Sequence, residues 1–262
     1  MPMQISISNA IGGGGGAQGS GGGSSFASTN SFTFDGNSDF IQSSTSPYSE
    51  LDGQSKATFS FWIKPTNLTP RYSFVLHIPR DTTGTNGQIT IFLDNNNRIR
   101  WSMDTASYYI FSNNNSIILG QWNHVLICVD LSITDEGRIF IDGVDQTAVD
   151  NLNTRNIFST SSGGLMIGEN TFGYLNPFLG NIDEVAIWSG EDLRNDVATI
   201  YNGGLPNDLN NNGLTAPTTW YRMGEDATYT GREWVLTDQG SAGINALSNT
   251  LPPEALSTDV PT

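Results

Sequence analysis

The sequence predicts an all-β fold, an antiparallel two-sheet jelly-roll sandwich with one short helix near the C-terminal part. Three observations carry this. Short runs with apolar residues at every second position recur along the chain, Asp-Gly and Asn-rich turns separate them, and only one segment has helical spacing. Composition agrees: 14% of the 262 residues are charged, 29 are Gly, and 10% are aromatic, enough to fill the space between two sheets.

Residues 1–10 alternate weakly at Ile5 and Ile7, then give way to Gly12–Gly16 and Gly19–Ser25. A glycine tract has no side chains to bury, so residues 1–30 read as an anchor followed by a linker. The sandwich is expected over residues 31–250. Ser31–Phe34 and Phe40–Gln42 are short strands split by the turn Asp35-Gly36-Asn37-Ser38. Ala57–Lys64 alternates strictly, with Phe59, Phe61 and Ile63 on one face and Thr58, Ser60 and Trp62 on the other, ending at Pro65. Tyr72–Ile78, Gln88–Leu93 and Arg98–Met103 follow, the last two joined by a turn at Asp94-Asn95-Asn96-Asn97.

Trp122–Asp130 is apolar on both faces, as a central strand covered on both sides should be. Arg138–Asp142 closes on Asp142-Gly143, a hairpin signal. Leu165–Ile167, Asn181–Trp188 and Trp220–Met223 complete the strands. Asp192–Tyr201 has helical spacing, with Leu193, Val197 and Ile200 on one stripe, and stops at Asn202-Gly203-Gly204. Residues 251–262 are Pro-rich and read as a tail trailing over the surface.

A net charge of −15 repels phosphate backbones, which disfavours nucleic acid as a partner. The single Cys128 excludes an intrachain disulfide and sits in an apolar run, as a small core residue would. The first ten residues carry no Lys or Arg and no long apolar run, so neither a secretory signal nor membrane insertion is expected.

Four blocks resemble the laminin G-like, concanavalin A-like lectin/glucanase superfamily. They are Ser31–Ile41 with Phe59-Ser-Phe-Trp-Ile-Lys-Pro65; Trp122-Asn-His-Val125 with Arg138-Ile-Phe-Ile-Asp-Gly143; Leu165-Met-Ile-Gly168; and Phe178-Leu-Gly-Asn-Ile-Asp-Glu-Val-Ala-Ile-Trp188. The resemblance spans roughly residues 31–225. Within these blocks Trp122 and Phe61 read as core anchors, Gly143 as a tight turn, and Gly180 as a close backbone approach. The closing segment, Asp192–Tyr201 and then Trp220-Tyr-Arg-Met-Gly-Glu225, is similar to laminin G-like proteins carried by tailed bacteriophages.

Catalytic sets are not found. Glucanases of the superfamily carry paired carboxylates along one strand as Glu-x-Asp-x-(x)-Glu, and this chain has no such run. Asp183 and Glu184 are adjacent, so they are expected to point to opposite faces of a strand and not to share one bond. His124 lies in an apolar strand and reads as a hydrogen-bonded core residue. The resemblance implies a structural calcium between an early loop and a late strand, with Asp35, Asp39 and Asp183 as its candidate ligands and Asx turns as the alternative. Asp208-Leu-Asn-Asn-Asn-Gly213 matches half of an EF-hand loop but has Thr219 at the twelfth position. Sugar binding calls for aromatics beside Asn or Asp. Trp101, Tyr108, Tyr109, Phe172 and Tyr174 are the candidates, with Phe111 and Asn113–Asn115 nearby.

The expected function is a non-catalytic bacteriophage virion surface protein, in capsid decoration or a fibre. It would present a lectin-like sandwich for glycan or host-surface adhesion and join other virion proteins through residues 1–30, with a homo-oligomer, formed through the sandwich faces or the Gly-rich arm, as a further expectation. The alternatives are a ligand-free structural cement protein and a secreted bacterial carbohydrate-binding module.

Overall fold

The computed structural model describes residues 26–45, 48–66, 72–79, 88–103, 108–152, 157–158, 163–170 and 176–262. In chain order the strands are β1 (Ser31–Asp35), β2 (Phe40–Ser43), β3 (Lys56–Pro65), β4 (Tyr72–Ile78), β5 (Ile89–Asp94) and β6 (Ile99–Met103). Next come β7 (Tyr108–Ser112), β8 (Asn123–Asp130), β9 (Gly137–Ile141), β10 (Val144–Asp145), β11 (Thr147–Asn151) and β12 (Met166–Ile167). The long β13 (Leu179–Ser189) precedes the helix α1 (Val197–Tyr201). After it lie β14 (Thr219–Tyr221), β15 (Ala227–Tyr229), β16 (Trp234–Leu236), β17 (Ala246–Asn249) and β18 (Leu256–Ser257).

They form two antiparallel sheets. The eight-stranded sheet runs β10-β9-β8-β3-β13-β1-β18, with β14 also paired to β13. The ten-stranded sheet runs β11-β7-β6-β5-β4-β12-β2-β17-β16-β15. Between them lies the main core, to which Phe59, Phe61 and Ile63 of β3 contribute from one side and Ile91, Leu93, Ile99 and Trp101 from the other. The alternation read in the sequence thus sets which face of each strand is dry.

The outer face of the eight-stranded sheet is also buried. Leu126, Cys128, Ala186, Trp188 and Trp220 pack there against Leu193, Val197, Ile200 and Leu209, so α1 and its flanks act as a lid. Burial pushes the Cys128 thiol up to about 12 and holds it neutral. On the same face Nε2 of His124 lies 2.9 Å from Ser60 Oγ, and its ring packs against Trp62 and Tyr201. Burial draws the His124 pKa down to about 3, so it is a neutral core residue.

Four expectations are corrected. The helix covers only the last half of Asp192–Tyr201. Asp192 accepts from the Arg194 backbone N–H, and Leu193 N–H donates to Thr58 Oγ1, which ties the first residues into a turn. Asn202, at φ 50°, ends it in the left-handed region. Trp122 is a rim residue and not a core anchor, since its indole N–H donates to Asp259 Oδ1 at 2.9 Å. Residues 251–262 do not trail. Leu256 and Ser257 pair with β1, Leu251 and Ala255 are buried, and Asp259 takes the Lys64 ammonium at 2.6 Å. The alternation of this segment is too short to read as a strand, but β1 supplies the pairing edge. Residues 26–30, expected in the linker, are packed: Phe26 stacks on Trp220 with ring centroids 6.0 Å apart.

Gly180 confirms the close approach expected of it. At φ 135° it pairs with Pro65, and a Cβ there would stand 2.2 Å from the Lys64 carbonyl oxygen. Gly180→Ala is expected to cost about 2–4 kcal/mol through displaced backbone. Urea unfolding monitored by tryptophan fluorescence measures it, with an unchanged midpoint as the contrary result.

Candidate functional site

The outer face of the ten-stranded sheet differs from a solvated sheet face. Core residues Ile91 and Leu93 flank Phe92 in β5, and Ile99 and Trp101 flank Arg100 in β6, so Phe92 and Arg100 point away from the main core, Phe92 buried and Arg100 half-buried. Register carries this across five strands: Phe74 faces Phe92, Phe92 faces Arg100, Arg100 faces Phe111, and Phe111 faces Val149. One transverse row therefore holds three aromatics, one guanidinium and a valine that is 39% exposed.

The row is tightly coupled. Phe111 stacks on Tyr109, two residues back on the same face, with centroids 4.6 Å apart and planes 17° apart. Phe92 touches Phe74 and Tyr72 at 5.4 and 5.1 Å between centroids. The Arg100 guanidinium carbon lies 4.7, 5.2 and 5.4 Å from the ring centroids of Phe111, Tyr109 and Phe92. Arg98 covers Phe111 at 4.3 Å but is also held by Asp94, Nε to Oδ2 at 2.6 Å. Such cation–π contacts fix guanidinium orientation without using its hydrogen-bond donors. A parallel row on the same face is polar. Gln88 Nε2 donates to Thr90 Oγ1 at 2.9 Å, and Thr90 Oγ1 lies 3.4 Å from His77 Nδ1. Burial draws the His77 pKa down to about 4.

The sequence candidates divide accordingly. Tyr109 belongs to this surface. Tyr108, half-buried, packs against the core from the other side of β7. Trp101 is corrected: it is fully buried, packs edge-on to Phe158, and belongs to the core, because it alternates with Arg100 on β6. Phe172 and Tyr174 lie outside the described residues. Arg100 and Phe92 were missed. Their signal was present, since each sits between core positions on a strand of strict alternation, but an arginine among aromatics gains meaning only once register is known.

The metal candidates also separate. Asp35 and Asp39 serve a turn: Asp35 accepts from Asn37 N–H, and Asp39 accepts from Asp35 N–H and the Thr250 hydroxyl. Burial, and after it the nearby Asp35 charge, raises the Asp39 pKa. Asp35 pairs with Leu179, four residues from Asp183 along β13, or about 13 Å at strand rise. Asp183 meets Glu184 and Glu225 instead, with one carboxylate oxygen of each within 4.8 Å of the others.

The opposite-face expectation for Asp183 and Glu184 fails here because β13 has a bulge between Asp183 and Ala186, with Glu184 at φ 49°. Ser28 Oγ donates to Asp183 Oδ2 at 2.8 Å, and Glu184 accepts from Trp220 Nε1 at 2.7 Å and Arg222 Nε at 3.2 Å. Glu225 Oε1 accepts from the Thr29 and Asn30 backbone N–H groups, while its buried Oε2 has no partner among the described residues. Burial, then the Glu184 charge, raises Asp183 well above the carboxylate range. Burial lifts Glu184 to about 7 despite Arg222. The donors are all hard oxygens at spacings one calcium can share. The EF-hand-like loop is an Asx turn, in which Asp208 accepts from Asn210 N–H and Asn211 Nδ2.

Fold and surface together define an antiparallel two-sheet sandwich with one face closed by a helical lid and an aromatic row on the other. The chain belongs to the Laminin_G_3 family, described as the concanavalin A-like lectin/glucanases superfamily, which matches residues 35–198. No curated protein matches the chain significantly. Among solved structures it is similar to a candidate carbohydrate binding protein from Bacteroides ovatus ATCC 8483, with 17% identity and a TM-score of 0.61. That match covers 90% of this chain, which spans only 62% of the other. It is also similar to the Ruminococcus gnavus IT-sialidase CBM40 bound to alpha2,3 sialyllactose, with 13% identity and a TM-score of 0.52, covering 66% of this chain and 98% of that one. Identities this low establish the shared fold alone. No helix among the described residues is long and apolar enough to cross a membrane.

Arg222 is the cation nearest the three carboxylates. Arg222→Ala is expected to destabilise the fold by about 3–5 kcal/mol by leaving buried acids uncompensated. Denaturant titration against the parent chain checks it, and a loss below about 1 kcal/mol would contradict the burial argument.

Proposed function

We propose that this chain is a non-catalytic glycan-binding module that receives sugar rings on the outer face of its ten-stranded sheet. The observation that carries this is the transverse row Phe74, Phe92, Arg100, Phe111 and Val149, in which the buried rings of Phe74 and Phe92 back the more open Arg100, Phe111 and Val149, with Tyr109 stacked beside them. Rings held rigidly by a sheet stack on the apolar faces of sugars at little entropic cost, and Asn113 with Gln146 at the strand ends offers amides for hydroxyls. The names of the two similar structures, a candidate carbohydrate binding protein and a carbohydrate-binding module, support the module reading. They do so ahead of the virion-surface reading, which rests on the resemblance of the closing segment and on the Gly-rich start of the chain. Affinity at so shallow a face is weak per site and becomes useful through many copies. On a glycan array probed with the multivalently displayed chain, a defined set of glycans is expected to bind. Phe111→Ala is expected to lower the signal about tenfold or more while leaving the melting temperature within a few degrees. An array blank at every density would overturn the reading.

The carboxylate cluster on the opposite side supports a companion reading, a structural calcium held by Asp183, Glu184 and Glu225. The unpartnered buried Oε2 of Glu225 is the observation in its favour. Calcium there would tie residues 28–30 and 222–225 to the bulge of β13 and favour the ionised forms of carboxyls whose pKa burial raises. Saturating CaCl2 over EDTA is then expected to raise the melting temperature by about 4 °C or more, and Asp183→Asn to remove that rise. Equal melting temperatures with and without calcium would rule it out.

A further inference from the structure

The partly buried basic residues of the described chain follow a rule with one departure, beginning with Lys56 on Asp130 at 3.1 Å. Lys64, Arg98, Arg138, Arg194 and Arg222, all partly buried, each face a carboxylate of Asp259, Asp94, Asp135, Asp192 and Glu184 respectively. In a chain with net charge −15 such pairing is easy to satisfy. Arg100 is also partly buried, yet it has no carboxylate and no hydrogen bond among the described residues, and its buried Nε is without a partner.

Neglect of one buried donor costs about 1–3 kcal/mol, so a guanidinium left this way calls for an explanation. The surrounding rings supply half of it. Phe92, Tyr109 and Phe111 lie about the guanidinium and hold its plane with their ring faces, and none of them forms a hydrogen bond with its N–H groups among the described residues. With Nε buried, the terminal amino groups of this aromatic-held guanidinium are what a planar bidentate acceptor arriving from outside can reach. The nearest acid, Asp94, is already taken by Arg98 Nε and the Asn96 backbone N–H.

We propose that Arg100 makes this face selective for sugars bearing a carboxylate, with the guanidinium pairing to the acid and Phe111 and Tyr109 stacking on the ring. The proposal rests on reading this face as the glycan site and adds the class of glycan to it. The neighbouring Arg98 is neutralised by Asp94, so Arg100 is the one uncompensated cation of this face among the described residues. Elsewhere the acidic surface repels anions, so an acidic sugar finds its favourable point here.

The test uses the full chain and paired probes of matched size: α2,3-sialyllactose and trigalacturonate as carboxylates, lactose and galactotriose as neutral sugars, and 3′-sulfolactose as a non-carboxylate anion. Titration calorimetry gives the affinity ratio of acidic to neutral probe. The expected ratio is about tenfold or more for at least one carboxylate pair, falling to near one in Arg100→Gln, with Arg100→Lys between them because it keeps the charge and loses the fork. A ratio near one in the parent chain, or a ratio unchanged by Arg100→Gln, would overturn the proposal while leaving the glycan site standing. So would preference for 3′-sulfolactose without preference for either carboxylate. Loss of all binding in both Arg100 variants, with melting temperatures retained, would also overturn it by making Arg100 a prop for the rings. If no probe binds the parent chain while the array also stays blank, the glycan reading itself fails with it.

Discussion

The structure depends most on the way β13 is gripped by its neighbours. It pairs with β3 along nearly its whole length on one side, and with β1 and then β14 on the other. That arrangement places eleven residues, nine of them buried, at the centre of the eight-stranded sheet. Two local departures make it possible. Gly180 admits the Lys64 carbonyl where any side chain would collide, and the bulge after Asp183 lets the strand change partners from β1 to β14. The cost of the bulge is a pair of adjacent buried carboxylates, which Arg222, Trp220 and Ser28 partly offset. Both chain ends are drawn to this region. Residues 28–30 reach the carboxylates, and β18 adds to the edge that β1 offers.

That grip decides which surface is left for recognition. The outer face of the eight-stranded sheet is sealed by Leu193, Val197, Ile200 and Leu209, so His124 and Cys128 beneath it are neutral, inert core groups. The ten-stranded sheet has a different outer face, where register rather than chain proximity assembles the aromatic row. Strands β4 to β7 supply its rings and Arg100 from successive hairpins, so the spacing of the row is the inter-strand spacing of about 4.8 Å. A rigid ladder of that pitch presents a preorganised platform, which is where weak sugar stacking gains most.

Much of the fold was legible because period-two alternation is a local signal. The Phe59, Phe61, Ile63 face and the doubly apolar β8 both came out as read, and Gly143 takes the positive φ that its turn needed. The class of fold therefore followed from the pattern, and the family match over residues 35–198 agrees with it. Less legible were features set by tertiary pairing. The two-residue β18 has no pattern of its own, the helix lost its first half to side-chain bonds from Thr58 and Asp192, and Trp122 was placed at the rim by Asp259. The candidate site was half legible. Tyr109 and Asp183 were candidates in the sequence, but their neighbours were not, because Arg100 joins Tyr109 through register and Glu225 joins Asp183 across a bulge. Trp101 looked like a platform only because aromatic content does not say which face a residue takes.

The central claim is that ligand recognition lies on the ten-stranded sheet and not in the shallow polar cavity of about 250 Å³ between Phe26, Trp220, Arg222 and Asp208 on the other side. A backbone amide NMR titration with α2,3-sialyllactose locates recognition directly. Shifts are expected to concentrate in Phe92, Arg100, Tyr109 and Phe111 and their strand neighbours. Shifts concentrated instead in Asp208–Asn211 and Trp220–Arg222, with β5 to β7 silent, would contradict it.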